Sequence, residues 1–476
     1  MDKEERNLVN GLKTGKLSRR EFIKMAFAAG VSAAGVSSAL AGCAPAPTAA
    51  PTAAPTAAPA GPAPISVAPG TKLSLKLRSA FIPQANEVLA AEVKAWGAKN
   101  NVPVEVDIVS MNDLQTIAAT AAETGAGPDV IELNQASAHL FAEALADVSD
   151  VADDLGKEYG GWYSAAEEGC KVDGKWLALP RFFASHAINY RKDIFEKIGV
   201  TTPPKTWEEL YEVGKQLKVA GEPPIAFPLG HAVGDGNDFN YSVLWSFGAS
   251  DVAKDGKTVT IDSPETRAAL EFMKKLKDDC MPDDVLSYDD SANNRAFNAG
   301  AISVTNNAAS IYINARNQGI QVKVGEENKN LADLMDHFEY PAGPAGTVIY
   351  AEFMSQAIFK YSPNVEAAKA LLKFLNEEAQ IAPWAAPAYS FIFPALKYYK
   401  DAPLMPWNTQ PKIAAFKNYA EDSHLPGYPS SNLRAGTEAY AKWIVVDMFA
   451  SYCSGAKSMD DVIAEAAAQL KTIYGG

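Results

Sequence analysis

The chain has 476 residues, of which 47% are hydrophobic and 21% charged, and its formal net charge is −14 at pH 7. That length and balance suit a globular protein with a sizeable core and room for two lobes, and the negative sign speaks against non-specific nucleic-acid binding. Four cysteines without a Cys-x-x-Cys pair supply no zinc frame.

In chain order, the first recognisable pattern is Ser18-Arg19-Arg20-Glu21-Phe22-Ile23-Lys24, then a weakly apolar run, then Leu40-Ala41-Gly42-Cys43. A charged segment, an apolar segment and small residues before a cut are the parts of an export signal. The paired arginines resemble a twin-arginine signal, and Leu-Ala-Gly-Cys resembles a bacterial lipobox. The resemblance implies that residues 1–42 are removed, that Cys43 is acylated, and that the protein works outside the cytoplasm on a membrane anchor. Residues 1–42 hold seven Lys/Arg and four Asp/Glu, so their removal takes the balance to −17. Residues 43–69 are the anchor cysteine and an uncharged Ala/Pro/Thr tether. Its recurrent prolines block helix and ladder and favour an extended spacer of about 3.1 Å per residue. No later apolar run reaches the ~18 residues a membrane span needs.

From residue 70 the pattern is α/β. Leu73, Leu75 and Leu77 alternate with polar residues, which predicts a strand. Residues 84–100 switch to helical period, with Leu89, Val93 and Trp96 on one stripe. Val104, Val106 and Ile108 alternate again, a helix is expected over 112–123, and residues 128–133 read as a third strand. Strand–helix–strand–helix–strand predicts parallel pairing with right-handed crossovers, and a site beyond the carboxyl ends of the strands, near Ser79 and Asn134. Further on, Thr206-Trp207-Glu208-Glu209 is a capping box. Ser263-Pro264 and Ser362-Pro363 are helix starts, and residues 460–474 form a last amphipathic helix. Cys170, Cys280 and Cys453 leave room for one disulfide and at least one buried free thiol.

Several segments together resemble the extracellular solute-binding proteins of ABC importers, the maltose-binding-protein-like group for sugars and glycerol phosphates. They are Gly127-Pro128-Asp129-Val130, Leu145-Ala146-Asp147-Val148, Gly174-Lys175-Trp176, Asn189-Tyr190-Arg191-Lys192-Asp193, Pro203-Pro204-Lys205-Thr206-Trp207-Glu208-Glu209-Leu210, Phe297-Asn298-Ala299-Gly300 and the helix from Pro363. The resemblance covers most of residues 72–476. It implies a two-lobe periplasmic-binding-protein fold with the ligand cleft between lobes. The first lobe is expected over 70–183 and 353–395, the second over 187–350 and 396–476, with crossings near Phe183–His186 and Glu352–Met354. It further implies a carbohydrate-type solute, permease subunits and their ATPase as partners, a monomer, and no cofactor, metal or catalysis.

A sugar needs flat rings to stack on and planar polar groups for directed hydrogen bonds. Candidate platforms are Phe182, Phe183, Tyr241, Trp245, Tyr312, Trp384, Tyr389, Phe391 and Tyr428. Candidate polar partners are Asn134, Gln135, Asn237, Asp238, Asn306, Asn307 and Glu352. Each has a plainer reading: an aromatic near a helix end as core, Asn306-Asn307 as a turn, residues 234–238 as a solvated loop, Glu352 as a hinge residue. Asn306–Ser310 and Ala351-Glu352 depart from the family's tryptophan and glycine pair, which leaves a non-sugar solute open. His139, His186, His231, His337 and His424 show no metalloprotease spacing, and Gly-x-Ser-x-Gly and a phosphate loop are absent. A secreted carbohydrate hydrolase or lyase stays open as an alternative, because sequence cannot measure a carboxylate separation.

Overall fold

The computed structural model describes residues 68–475 apart from Leu404; the export signal, Cys43 and nearly all of the tether lie outside them. The first strand, β1 (Leu73–Arg78), buries its three leucines as the alternation predicts. Helix α1 (Pro83–Asn100) starts with proline, buries Leu89, Val93 and Trp96, and ends where Asn101 turns left-handed at φ 55°. Gly97 lies so close to the next strand that a Cβ would meet the Val102 carbonyl at 2.8 Å. Then come β2 (Val104–Val109), α2 (Met111–Thr124) and β3 (Val130–Asn134). β1 pairs in parallel with both β2 and β3, as the alternating elements predict.

β4 (Leu179–Phe183) is followed after two residues by β5 (His186–Arg191). Helix α3 (Trp207–Ala220) opens on the predicted capping box, with Thr206 Oγ1 accepting from Glu209 N at 3.2 Å. All twelve residues of α4 (Asp235–Ser246) are buried. Ser263 caps α5 (Pro264–Cys280). β6 (Val304–Ala308), α6 (Ser310–Gln318), β7 (Met335–Phe338) and β8 (Phe353–Ile358) follow. The chain ends with α7 (Val365–Leu375), β9 (Phe393–Pro394) and α8 (Met459–Ile473). α7 begins later than Ser362-Pro363 predicts. The Ser362 hydroxyl is engaged by Asp129 and accepts from Asn364 N at 3.0 Å, so it caps a turn before the helix.

Two sheets result. The larger runs β9-β4-β8-β3-β1-β2, with β8 antiparallel to its neighbours; the smaller runs β7-β5-β6, antiparallel throughout. The chain passes between them at residues 184–185 and returns at 351–352, close to the two expected places, and it leaves the larger sheet a further time after β9 for the C-terminal helices. Past residue 395 the backbone still packs on the larger sheet's side: Lys397 N donates to Gly161 O at 2.9 Å, and Tyr399 stacks on Tyr159. Among the described residues no helix is long and apolar enough to cross a membrane. Cys170, Cys280 and Cys453 are free and buried.

Candidate functional site: a charged junction between two sheets

The carboxyl end of β1 delivers Arg78 to the gap between the sheets. The two crossings deliver Glu352 and His186 to the same place. Arg78 lies 2.8 Å from Glu352 Oε1, and His186 Nε2 lies 2.8 Å from Glu352 Oε2. On its other side His186 Nδ1 is 3.1 Å from Asp238 Oδ2, and Asp235 Oδ1 is 3.7 Å from His186 Nε2. A chain of alternating charge therefore runs from the larger sheet through both crossings to α4.

The first turn of α4 is held for this purpose. The Asp290 carboxylate accepts from the N–H groups of Val233, Gly234 and Asp235 at 2.9, 2.9 and 3.0 Å, an anion on a helix N-terminus. Residue 234 must be glycine, because a Cβ there would fall 2.5 Å from Glu352 Oε2. Asn293 and Asn307 donate to Asp235 Oδ2 at 2.8 and 2.9 Å. Asn306 donates to the Asp235 carbonyl at 2.9 Å and to Asp238 at 3.4 Å. The Tyr340 hydroxyl donates to Asp238 as well. The Tyr419 hydroxyl donates to Asp238 Oδ1 at 3.2 Å and accepts from Glu352 N at 2.8 Å.

Burial drives the electrostatics. It pushes the Asp235 and Asp238 carboxyls upward against the pull of His186, and with Glu352 nearby it raises Asp290 to about 6. Burial disfavours the His186 imidazolium, yet Asp238 and Glu352 outweigh it and hold that histidine well above its ordinary range. For Glu352 burial is likewise outweighed, by Arg78 and His186, and its carboxyl lies low.

Several buried polar atoms here have no hydrogen-bond partner among the described residues: Asn134 Oδ1, Gln135 Oε1, Ser185 Oγ, Asn237 Oδ1 and Asn306 Oδ1. Two cavities flank the junction. One of about 400 Å³ is lined by Ser79, Phe81 and Met111 from the larger sheet's side and by Asp289, Asp290 and Ser291 facing them. The other, about 410 Å³, lies against His186, Tyr340, Tyr419 and His424.

Of the polar candidates, Asp238, Asn306, Asn307 and Glu352 meet at the junction, with Asn237 in the same helical turn. Residues 234–238 are a buried helix start rather than a solvated loop, and Asn306-Asn307 lie in β6 rather than a turn. Asn134 ends β3, and the Gln135 amide donates to Tyr350. The aromatic candidates divide. Phe391 lies edge-on to Phe81 at 6.0 Å with Arg78 over its ring, so it reaches the junction. Phe183 instead packs between Tyr163 and Phe353 in the larger sheet's core. Phe182 packs edge-on to Trp384, whose ring covers the Arg181 guanidinium at 4.0 Å. Tyr241 and Trp245 of α4 form an aromatic cluster with Tyr350 and Tyr428. Tyr312 lies edge-on to His337. The Tyr389 side chain lies outside what the structure describes. Sequence reasoning missed Arg78, His186, Asp290, Tyr340 and Tyr419. Arg78 carried one signal, its place at a strand's carboxyl end, and His186 another, its place in a predicted crossing.

Two α/β lobes joined by crossing segments, with polar side chains gathered where they meet, constitute the periplasmic-binding-protein fold. Residues 83–382 match the family model described as bacterial extracellular solute-binding protein, and the chain belongs to that family. It is 30% identical over 188 residues to the diacetylchitobiose binding protein of Streptomyces coelicolor, covering 39% of this chain and 43% of that one. It is 31% identical over 189 residues to the sn-glycerol-3-phosphate-binding periplasmic protein of Agrobacterium fabrum, covering 33% and 43%. The chain thus spans half or less of the length of these curated relatives. In fold it resembles maltose-bound MalE3 of T. maritima, with TM-score 0.69 and 23% identity over 84% of this chain and 100% of that one.

Proposed function

We propose that this protein is the membrane-tethered receptor of an ABC importer, and that it captures a carbohydrate-type solute by closing two lobes on it. The lobes are residues 70–183 with 353–400, and 187–350 with the C-terminal helices. Cys43 carries the lipid anchor, the tether sets the receptor off the membrane, and the liganded form docks on permease subunits driven by their ATPase. Its role is binding, without chemical change to the solute.

The observation that supports this reading best is the set of unpartnered, buried polar atoms at the junction. A buried acceptor without a donor costs about 1–3 kcal/mol. Asn134, Gln135, Asn237 and Asn306 each present one, so a hydroxyl-rich solute restores what closure takes from water. Phe81 offers an apolar face on the wall of the neighbouring cavity.

The test is a thermal-shift and calorimetric screen of the purified protein against mono- and oligosaccharides, polyols, glycerol phosphates, polyamines and short peptides. A true ligand at 100 times its Kd stabilises the native state by about 2.7 kcal/mol. Binding of a sugar or polyol, recovered unchanged, is the expected result. Turnover of the carbohydrate, or binding confined to peptides, would overturn it. Retention of a Cys43→Ala chain in the membrane fraction would refute the anchor.

A further inference from the structure

A further cavity lies toward the amino end of β1, the end away from the junction. It is a groove of about 530 Å³ bounded by β1, β2, α2 and the loop into β3. Leu75, Ile117, Ala121 and Pro128 supply its apolar lining. The four charged residues on its β1–β2 side neutralise one another, because Lys72 pairs with Glu105 and Lys76 with Asp107 across the two strands. β2 is the last strand of the sheet, and its valines and Ile108 are only half-buried. The groove thus suits an uncharged, apolar occupant.

The chain enters the fold at the rim of this groove. Ala68 opens a four-residue turn in which Thr71 N donates to Ala68 O at 3.0 Å, with Pro69 second and Gly70 third at φ 77°; these are the residues and the handedness of a type II turn. Asn364, 3% exposed and just ahead of α7, clamps the turn. It accepts from Ala68 N at 2.9 Å and Thr71 Oγ1 at 3.2 Å, and donates to Lys72 O at 3.3 Å. Lys72 is itself part of the groove wall. A turn of this kind reverses the chain, which directs the preceding segment back toward Lys72 and the groove.

Composition singles out that segment. Between Cys43 and Ala68 every residue other than Ile65 and Val67 is alanine, proline, threonine, glycine or serine. Residues two apart share a face of an extended chain, so Ile65 and Val67 make one apolar face directly before the turn. We propose that residues 64–67 dock in the groove, with Ile65 and Val67 against Leu75, Ile117, Ala121 and Pro128. The docking is independent of the solute; its consequence rests on the Cys43 anchor proposed above. The tether is then fixed to the larger sheet at the end opposite Arg78 and the junction, which leaves residues 44–63 as the free spacer, about 60 Å long when extended.

Cysteine cross-linking tests this in the chain from residue 43 with Cys43→Ala, whose three other cysteines are buried. Val67→Cys is combined with Thr120→Cys, an exposed position on the groove wall. Mild oxidation is expected to give a disulfide within one chain. Adding Ile65→Ser should slow its formation about tenfold or more, the loss expected when a buried aliphatic side chain no longer holds the segment. An equal rate with Ile65→Ser would mean that the clamped turn alone brings the cysteines together, and would overturn the docking; so would the absence of a disulfide. A disulfide between two chains, seen as a dimer on a non-reducing gel, would give the groove to a second copy and overturn it as well. Amide exchange in the chain that keeps Val67 and Thr120 is the second measurement. Ser66 and Val67 should exchange more slowly than residues 52–57, and Ile65→Ser should abolish the difference; equal exchange in the parent overturns the proposal.

Discussion

Arg78 and Glu352 form an ion pair with side chains only 2% and 3% exposed. Removing one partner of such a pair strands the other without water, which costs about 3–5 kcal/mol. Arg78→Ala is therefore expected to lower the urea midpoint strongly. An Arg78→Met, Glu352→Gln double variant should recover part of the loss, since both charges of the pair are gone and His186 keeps Asp238. If the single variant unfolds like the parent, the pair is not holding the junction. Glu132 gives a pH dependence of definite sign. Burial raises its carboxyl from 4.5 to about 7, against the pull of Arg78 and Arg181. The native state thus keeps this proton while the unfolded chain releases it. The group's contribution to stability falls as pH rises from about 4.5 to about 7 and is level beyond. Glu132→Gln should show a smaller loss of stability between pH 5 and pH 8 than the parent does; an equal loss would assign the dependence elsewhere.

Among the elements, the local rules hold where a helix starts in partial contact with water. Thr206→Ala removes the capping acceptor of α3 and should cost about 1 kcal/mol, read by chemical denaturation. A change below a few tenths would mean that Glu209, which also accepts from Lys205 N, carries the cap alone. α4 follows no local rule. Its N-cap position is Gly234, and its first turn is stabilised by Asp290, 55 residues away. The sequence pattern there reads as a loop because the capping group comes from another part of the chain. In the same way Ser362 looks like a helix cap until Asp129, far off in sequence, engages its hydroxyl.

For the whole molecule, the charged chain from Arg78 through Glu352 and His186 to Asp238 ties both crossings to α4. Glu352→Ala removes its middle member. It should raise the radius of gyration of the unliganded protein in small-angle scattering, and saturating ligand should lower it again. No change would place the closing energy elsewhere. Burial pushes the Cys280 and Cys453 thiols up to about 11 and about 12, and Cys170 higher still. With Cys43 replaced by alanine, the native protein should show no thiol reactive to a disulfide reagent, and three after unfolding.

What could be read from the chain alone is what depends on near neighbours. The leucines of β1, the stripe of α1, the capping box at Thr206 and the β–α–β–α–β order each state a local preference, and burial followed each of them. The two crossings were legible because ordered motifs resemble a family that has them. The site was legible only in part. Asp238, Asn306, Asn307 and Glu352 are conspicuous as polar residues in apolar surroundings, but nothing local tells Phe391, which reaches the junction, from Phe183, which fills the core. Arg78, His186, Asp290 and Tyr419 come together from four distant stretches of chain. Their meeting depends on how two sheets pack about two short crossings. That packing is a sum of long-range contacts, and no window of sequence contains it.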